Sequence, residues 1–148
     1  MVPAPVPAHP SASAPSASAS ASGVPSGHPL LGRHAFVCGA TQGIGKATAM
    51  AMAAAGATVT ACGRNDQGLV RTLEELPCPA GQKHWTVEVD FSSAKDVELA
   101  ARTHLASAGP VHVLVNNTGG PAAGSAIEAR AEDFVKAFEM HLLSSQAL

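Results

Sequence analysis

A chain of 148 residues with nine Lys and Arg against eleven Asp and Glu carries a formal charge of −2, which leaves no broad basic surface for nucleic acid or anionic lipid. Its hydrophobic content of 46% suffices for one folded domain, yet no apolar run reaches the roughly 20 residues that cross a bilayer. Three cysteines (Cys38, Cys62, Cys78) and seven histidines show no metal-ligand spacing, so no metal site is expected and a reducing, cytoplasmic setting is the default.

Residues 1–28 are almost entirely Ala, Ser, Pro, Val and Gly, with no Asp, Glu, Lys or Arg. Such a segment has little side-chain surface to offset its ordering entropy and reads as a disordered tail. It lacks the basic n-region of a signal peptide and the arginines of a transit peptide. The folded part is expected over 29–148. His34–Cys38 reads as a strand, followed by a glycine-rich turn and an Ala- and Met-rich helix, Gly43–Ala55, stopped by Gly56. Ala57–Cys62 is a second strand. Asn65 or Asp66 caps a helix to about Leu76, which Pro77, Pro79 and Gly81 end. Lys83–Val89 alternates Trp85, Val87 and Val89 on one side of a third strand. Ser92 or Ser93 caps a helix from Ala94 to about Ser107, ended by Gly109-Pro110. Val111–Val115 is a short fourth strand. A Gly- and Pro-rich loop leads from Asn116 to about Ser125, and a last helix runs from about Ala131 to Leu148.

Strands joined through helices pair in parallel with right-handed crossovers. The expected fold is therefore a doubly wound, Rossmann-like α/β sheet of about four strands, ordered 3-2-1-4. Its ligand crevice would lie at the carboxyl ends of the first and fourth strands. Gly39-Ala40-Thr41-Gln42-Gly43-Ile44-Gly45 sits at the first strand-to-helix turn. Glycines there let backbone N–H groups approach a diphosphate, and the helix N-terminus behind them favours negative charge. The Thr41 hydroxyl can donate to a phosphate. A Walker A loop is excluded, because the sixth position from Gly39 is Ile44 and Ala47 stands where the magnesium-binding hydroxyl should be. The second strand ends in Gly63-Arg64, a guanidinium that can pair with a phosphate and stack on a planar ring. Cys38 and Cys62 fall at strand ends as small buried thiols.

Taken together, these signals resemble the short-chain dehydrogenase/reductases. The Gly39-x-x-x-Gly43-x-Gly45 spacing, Asp90 closing the third strand and Asn116-Asn117-Thr118-Gly119 closing the fourth match that family in order. The match covers about Leu30 to Leu148, roughly the amino-terminal half of a family domain. The resemblance implies a nicotinamide dinucleotide held by Gly39, Thr41, Gln42, Gly43, Ile44, Gly45, Arg64, Asp90, Phe91, Asn117 and Gly119. Gln42 stands where relatives often carry Arg or Lys. The family's NAD-preferring members place a carboxylate where this chain has Gly63, so NADP(H) is favoured over NAD(H). Asp90 and Phe91 correspond to the pair that touches adenine. Asn116 and Asn117 are expected to hold the end of the fourth strand and line the cofactor floor.

The family's chemistry is hydride transfer between a carbonyl and an alcohol, with a Tyr phenol, a Lys four residues on and a Ser as its catalytic groups. In the family these lie beyond the last residue of this chain, which has no tyrosine. No catalytic residue is therefore expected here, and the chain is expected to be inactive alone. It reads as a fragment or an early-ended reading frame of a reductase, with a non-catalytic nucleotide-binding or interaction module as the alternative. His141 falls where the family carries an asparagine that helps hold a relay water; a histidine replacing its hydrogen bonds and one facing solvent or an interface are both open. The resemblance also implies homo-oligomers through the fourth and fifth helices, and an inner face of the last helix left unpacked near Phe134, Phe138 and Leu142.

Overall fold

Every residue of β1 (His34–Cys38) is buried, the signature of a central strand covered on both faces. In this computed structural model, which describes residues 27–120 and 123–148, β1 pairs in parallel with β2 (Thr58–Gly63) on one side and β4 (Val113–Val115) on the other. β3 (Trp85–Glu88) pairs in parallel with the outer edge of β2, giving the order β3-β2-β1-β4 expected from the helical crossovers. The helices between them are α1 (Gly43–Ala54), α2 (Asp66–Glu75) and α3 (Ala94–Ala108), with α4 (Ala131–Phe138) after β4. The expected tail falls, save its last two residues, outside the described part. Among the described residues no helix is long and apolar enough to cross a membrane.

Alternation along β1 sends Ala35 and Val37 to one face and Phe36 and Cys38 to the other, which builds two cores. The first is closed by α1 and α2. Gly45, Ala49 and Ala53 recur every four residues along α1, and this stripe of small residues lets the helix lie close to the sheet. The second core joins Phe36, Cys38 and Cys62 to Val87, Val89, Phe91 and Val97. Cys38 and Cys62 are register partners across β1 and β2, and both are buried. Hydrogen bonding with Cys38 and then burial push the Cys62 thiol well above its ordinary range, as for a packing residue.

Side chains settle several boundaries. Asn65, rather than Asp66, caps α2 by accepting from the Gly68 N–H at 3.0 Å, and Ser93 caps α3 through the Asp96 N–H at 3.3 Å. β3 begins at Trp85, not Lys83, where the His84 ring accepts the Val59 N–H at 3.0 Å in place of a backbone carbonyl. β4 likewise begins at Val113, not Val111, where the His112 ring accepts the His34 N–H at 3.1 Å. The last helix is not continuous. After α4 it loosens into a π-helical segment, Glu139–Leu143, and closes with a short turn, α5 (Ser144–Gln146). Phe134, Phe138 and Leu142 stay exposed along it, as expected for a face without a partner.

Candidate functional site

The glycine turn after β1 is shaped by its neighbour across the sheet. Gly39 has φ +61°, and a β-carbon there would lie 2.5 Å from the Asn117 carbonyl oxygen and 2.6 Å from its side-chain nitrogen. A β-carbon on Gly45 would overlap the Gly39 carbonyl oxygen. Asn117 Nδ2 donates to the Cys38 and Gly39 carbonyls at 3.3 and 3.5 Å, which ties the end of β4 to the turn. Ala40 is held from the other side. Its N–H donates to the Cys62 carbonyl, and its carbonyl accepts from the buried Thr72 hydroxyl of α2 at 3.1 Å. Only glycine suits the two close approaches.

The turn opens onto α1 with donors to spare. Gln42, the residue before the helix, has extended backbone and makes no side-chain capping bond, and the first turn holds no acidic residue. The first N–H groups of α1 therefore lack a side-chain acceptor. Gly43 has φ +57° and nothing within 4 Å of where its β-carbon would stand. Beside it lies a groove of about 320 Å³ across the carboxyl ends of the strands.

From the β1 turn, Gly39, Thr41, Gln42, Gly43 and Ile44 line this groove. Arg64 enters from the end of β2, Asp90 and Phe91 from the end of β3, and Asn117 and Gly119 from the end of β4. Gly45 is buried behind the turn and does not line it. Asn116 is exposed and also stands outside the lining, so the expected pair on the groove floor reduces to Asn117. Arg64 is exposed and makes no ion pair among the described residues. Asp90 accepts the Ser92 N–H on Oδ1 at 2.9 Å, so one of its oxygens is already engaged. Lys46 points elsewhere: its Nζ donates to Glu75 Oε1 on α2 at 2.8 Å.

Met140 also lines the groove and was invisible in the sequence, since only the fold carries the last helix there. Thr118, another lining residue, meets His141 at 2.6 Å between Oγ1 and Nδ1. His141 combines the two readings left open for it: its side chain is exposed, and its Nδ1 makes this one hydrogen bond. No metal-binding cluster of His, Cys, Asp or Glu occurs among the described residues.

The perturbed histidines lie at the opposite end of the sheet. His34 Nε2 and His104 Nε2 each stand 2.8 Å from the one Thr60 hydroxyl. Trp85 packs against both rings, with centroids 5.6 and 6.0 Å away. Burial lowers the His34 pKa most; the nearby Pro110 carbonyl opposes this without meeting hydrogen-bond geometry, and His112 adds to the lowering. Burial, then His34, lowers that of His104, while burial lowers that of His84 against the opposing Pro77 carbonyl.

Comparison with known proteins places this geometry. The model of the short chain dehydrogenase family matches residues 33–146. Glucose 1-dehydrogenase of Gluconobacter oxydans (strain 621H) is 35% identical over 103 residues, covering 70% of this chain and 39% of that protein. L-xylulose reductase of Mesocricetus auratus is 38% identical over 113 residues, covering 76% and 43%. The crystal structure of L-sorbose reductase from Gluconobacter frateurii, complexed with NADPH and L-sorbose, matches with a TM-score of 0.72 at 26% identity over 80% of this chain and 45% of that one. An alcohol dehydrogenase from Thermococcus sibiricus complexed with 5-hydroxy-NADP matches with a TM-score of 0.69 at 30% identity, covering 78% and 49%. The chain spans about two fifths of the length of the curated relatives it matches. With its glycine turn, its parallel sheet and a family match across residues 33–146, the chain belongs to the short-chain dehydrogenase family.

Proposed function

We propose that the groove holds NADP(H), and that this chain is the cofactor-binding part of an oxidoreductase interconverting a carbonyl and an alcohol. The observation that carries the reading is the uncapped N-terminus of α1, opening beside Gly43 into a groove that Arg64 also lines. Amide N–H groups from the turn would hold the diphosphate. The Arg64 guanidinium, without a carboxylate partner among the described residues, would meet the 2′-phosphate and select NADP(H) over NAD(H). Asp90 and Phe91 would bound the adenine, and Asn117 would hold the turn and the β4 end in one geometry.

The bound nicotinamide supplies or accepts the hydride. This chain's residues bind and orient it. With no tyrosine in its 148 residues, the chain has no phenol to hand a proton to a carbonyl oxygen, and we read it as binding without turnover on its own. A second reading, a nucleotide-binding or interaction module without catalysis, draws on the apolar surface of the last helix. The exposed Phe134, Phe138 and Leu142 support further protein packing on the last helix, a second copy of the chain included.

Fluorescence titration of the purified chain with NADPH and NADH tests the binding. Saturable binding with NADPH preferred is expected; no binding of either removes the reading. Ketone-dependent oxidation of NADPH by the chain alone would overturn the claim of inactivity.

A further inference from the structure

The last helix is held in an unusual way. Its apolar side chains Phe134, Val135, Phe138 and Leu142 face solvent, and α4 and the π-helical segment contain no buried residue. Met140, Ala147 and Leu148 are only part-buried against the second core. The one fully buried side chain in this stretch is Ser144, which is polar. Part of its apolar surface is thus left open, and two directed hydrogen bonds also hold the helix, one buried at Ser144 and one exposed at His141.

Two of these bonds end on opposite walls of the groove. Ser144 Oγ donates to the Phe91 carbonyl at 2.6 Å, on the loop after β3, with the Glu139 carbonyl a longer second acceptor at 3.2 Å. His141 Nδ1 meets Thr118 Oγ1 at 2.6 Å, on the loop after β4. Between them Met140 lines the groove itself. All three belong to the π-helical segment or the residue after it, where the Ser144 N–H reaches back five residues to the Glu139 carbonyl. Such a turn has poorer geometry than an α-helix and recurs where side chains must be re-aimed.

We infer that His141 and Ser144 are positioning residues for the cofactor groove: His141 sets the β4-side wall through Thr118, and Ser144 sets the β3-side wall through Phe91. This rests on the NADP(H) reading of the groove. The order β3-β2-β1-β4 separates the two walls. A dinucleotide crossing the glycine turn with its 2′-phosphate at Arg64 has its adenosine half on the β3 side. Its nicotinamide half then lies on the β4 side. The two ties therefore act on different halves of one ligand.

The test uses the full chain and two probes, NADPH and adenosine 2′,5′-bisphosphate. His141→Ala and Thr118→Val each remove the same bond and should weaken NADPH about tenfold, the size of one lost hydrogen bond, while leaving the bisphosphate unchanged. His141→Asn should restore NADPH binding, because an Asn amide places a heteroatom where Nδ1 stood. Ser144→Ala should weaken both probes; if it fails to fold, Ser144→Cys, of similar size and a weaker donor, replaces it. Amide exchange at Thr118, Gly119 and Gly120 should quicken in His141→Ala. Wild-type affinities in the variants, or an equal loss of both probes in His141→Ala, overturn the inference and leave the groove reading standing. A wild-type chain that binds neither probe overturns both.

Discussion

Asn117 packs against Gly39 so closely that a β-carbon on the glycine would stand 2.5 Å from the Asn117 carbonyl oxygen. Backbone is an obstacle as well as the Asn117 side-chain nitrogen at 2.6 Å, and φ +61° is itself unfavourable for any L-residue with a β-carbon. Gly39→Ala should therefore cost about 2–4 kcal/mol, from left-handed strain and overpacking together. A fall of roughly 10 °C or more in melting temperature is expected. A variant melting with the wild type would show that the two segments do not meet.

Gly43 separates binding from stability. Its φ of +57° is strained for alanine, but no atom lies within 4 Å of the added methyl. Gly43→Ala should cost only about 1–2 kcal/mol in stability. The methyl would project beside the first helical N–H groups, and NADPH affinity should fall by about tenfold or more. Calorimetric melting and fluorescence titration of one preparation separate the two effects; intact affinity would place the diphosphate elsewhere.

Arg64 and Lys46 form a contrasting pair of cations. Arg64 lines the groove, whereas Lys46 is spent on Glu75. Arg64→Ala should weaken NADPH about 10- to 100-fold, the range for a hydrogen bond to a charged group, with NADH little changed. Lys46→Gln removes a half-exposed ion pair worth at most about 1 kcal/mol and should leave both affinities within about twofold. Equal losses for the two cofactors in Arg64→Ala would remove its assignment to the 2′-phosphate.

Acid should loosen the far end of the sheet. His34, His84 and His104 all have pKa values lowered from the ordinary 6.5 by burial. The unfolded chain then binds more protons than the folded one, so their contribution is complete above about pH 6.5 and is lost as pH falls through the lowered folded values. The melting temperature should hold between pH 8 and 7 and fall steadily below about pH 6.5. Thr60→Val strands the two ring nitrogens that share its hydroxyl and should cost about 1–3 kcal/mol at neutral pH. A flat pH profile would mean that these rings titrate alike in both states.

Local chemistry was enough to read the element order, the parallel 3-2-1-4 sheet and the glycine turn. Apolar spacing, capping residues and glycine positions act within a few neighbours, and β1, α1, β2, α2 and α3 follow them closely. The groove residues of the strand ends, from Thr41 to Asn117, were legible because a parallel sheet brings those ends to one edge whatever the loops do. Tertiary structure decided the rest through bonds between residues far apart in the chain. His84 and His112 shorten β3 and β4 by accepting backbone N–H groups of other strands, which no periodicity encodes. Asn116 and Asn117, adjacent in sequence, part company because only Asn117 meets the turn. Met140 reaches the groove, and His141 and Ser144 reach the lining residues Thr118 and Phe91, through a π-helical turn and two side-chain hydrogen bonds spanning 23 and 53 residues, on a helix whose Phe134, Phe138 and Leu142 are exposed.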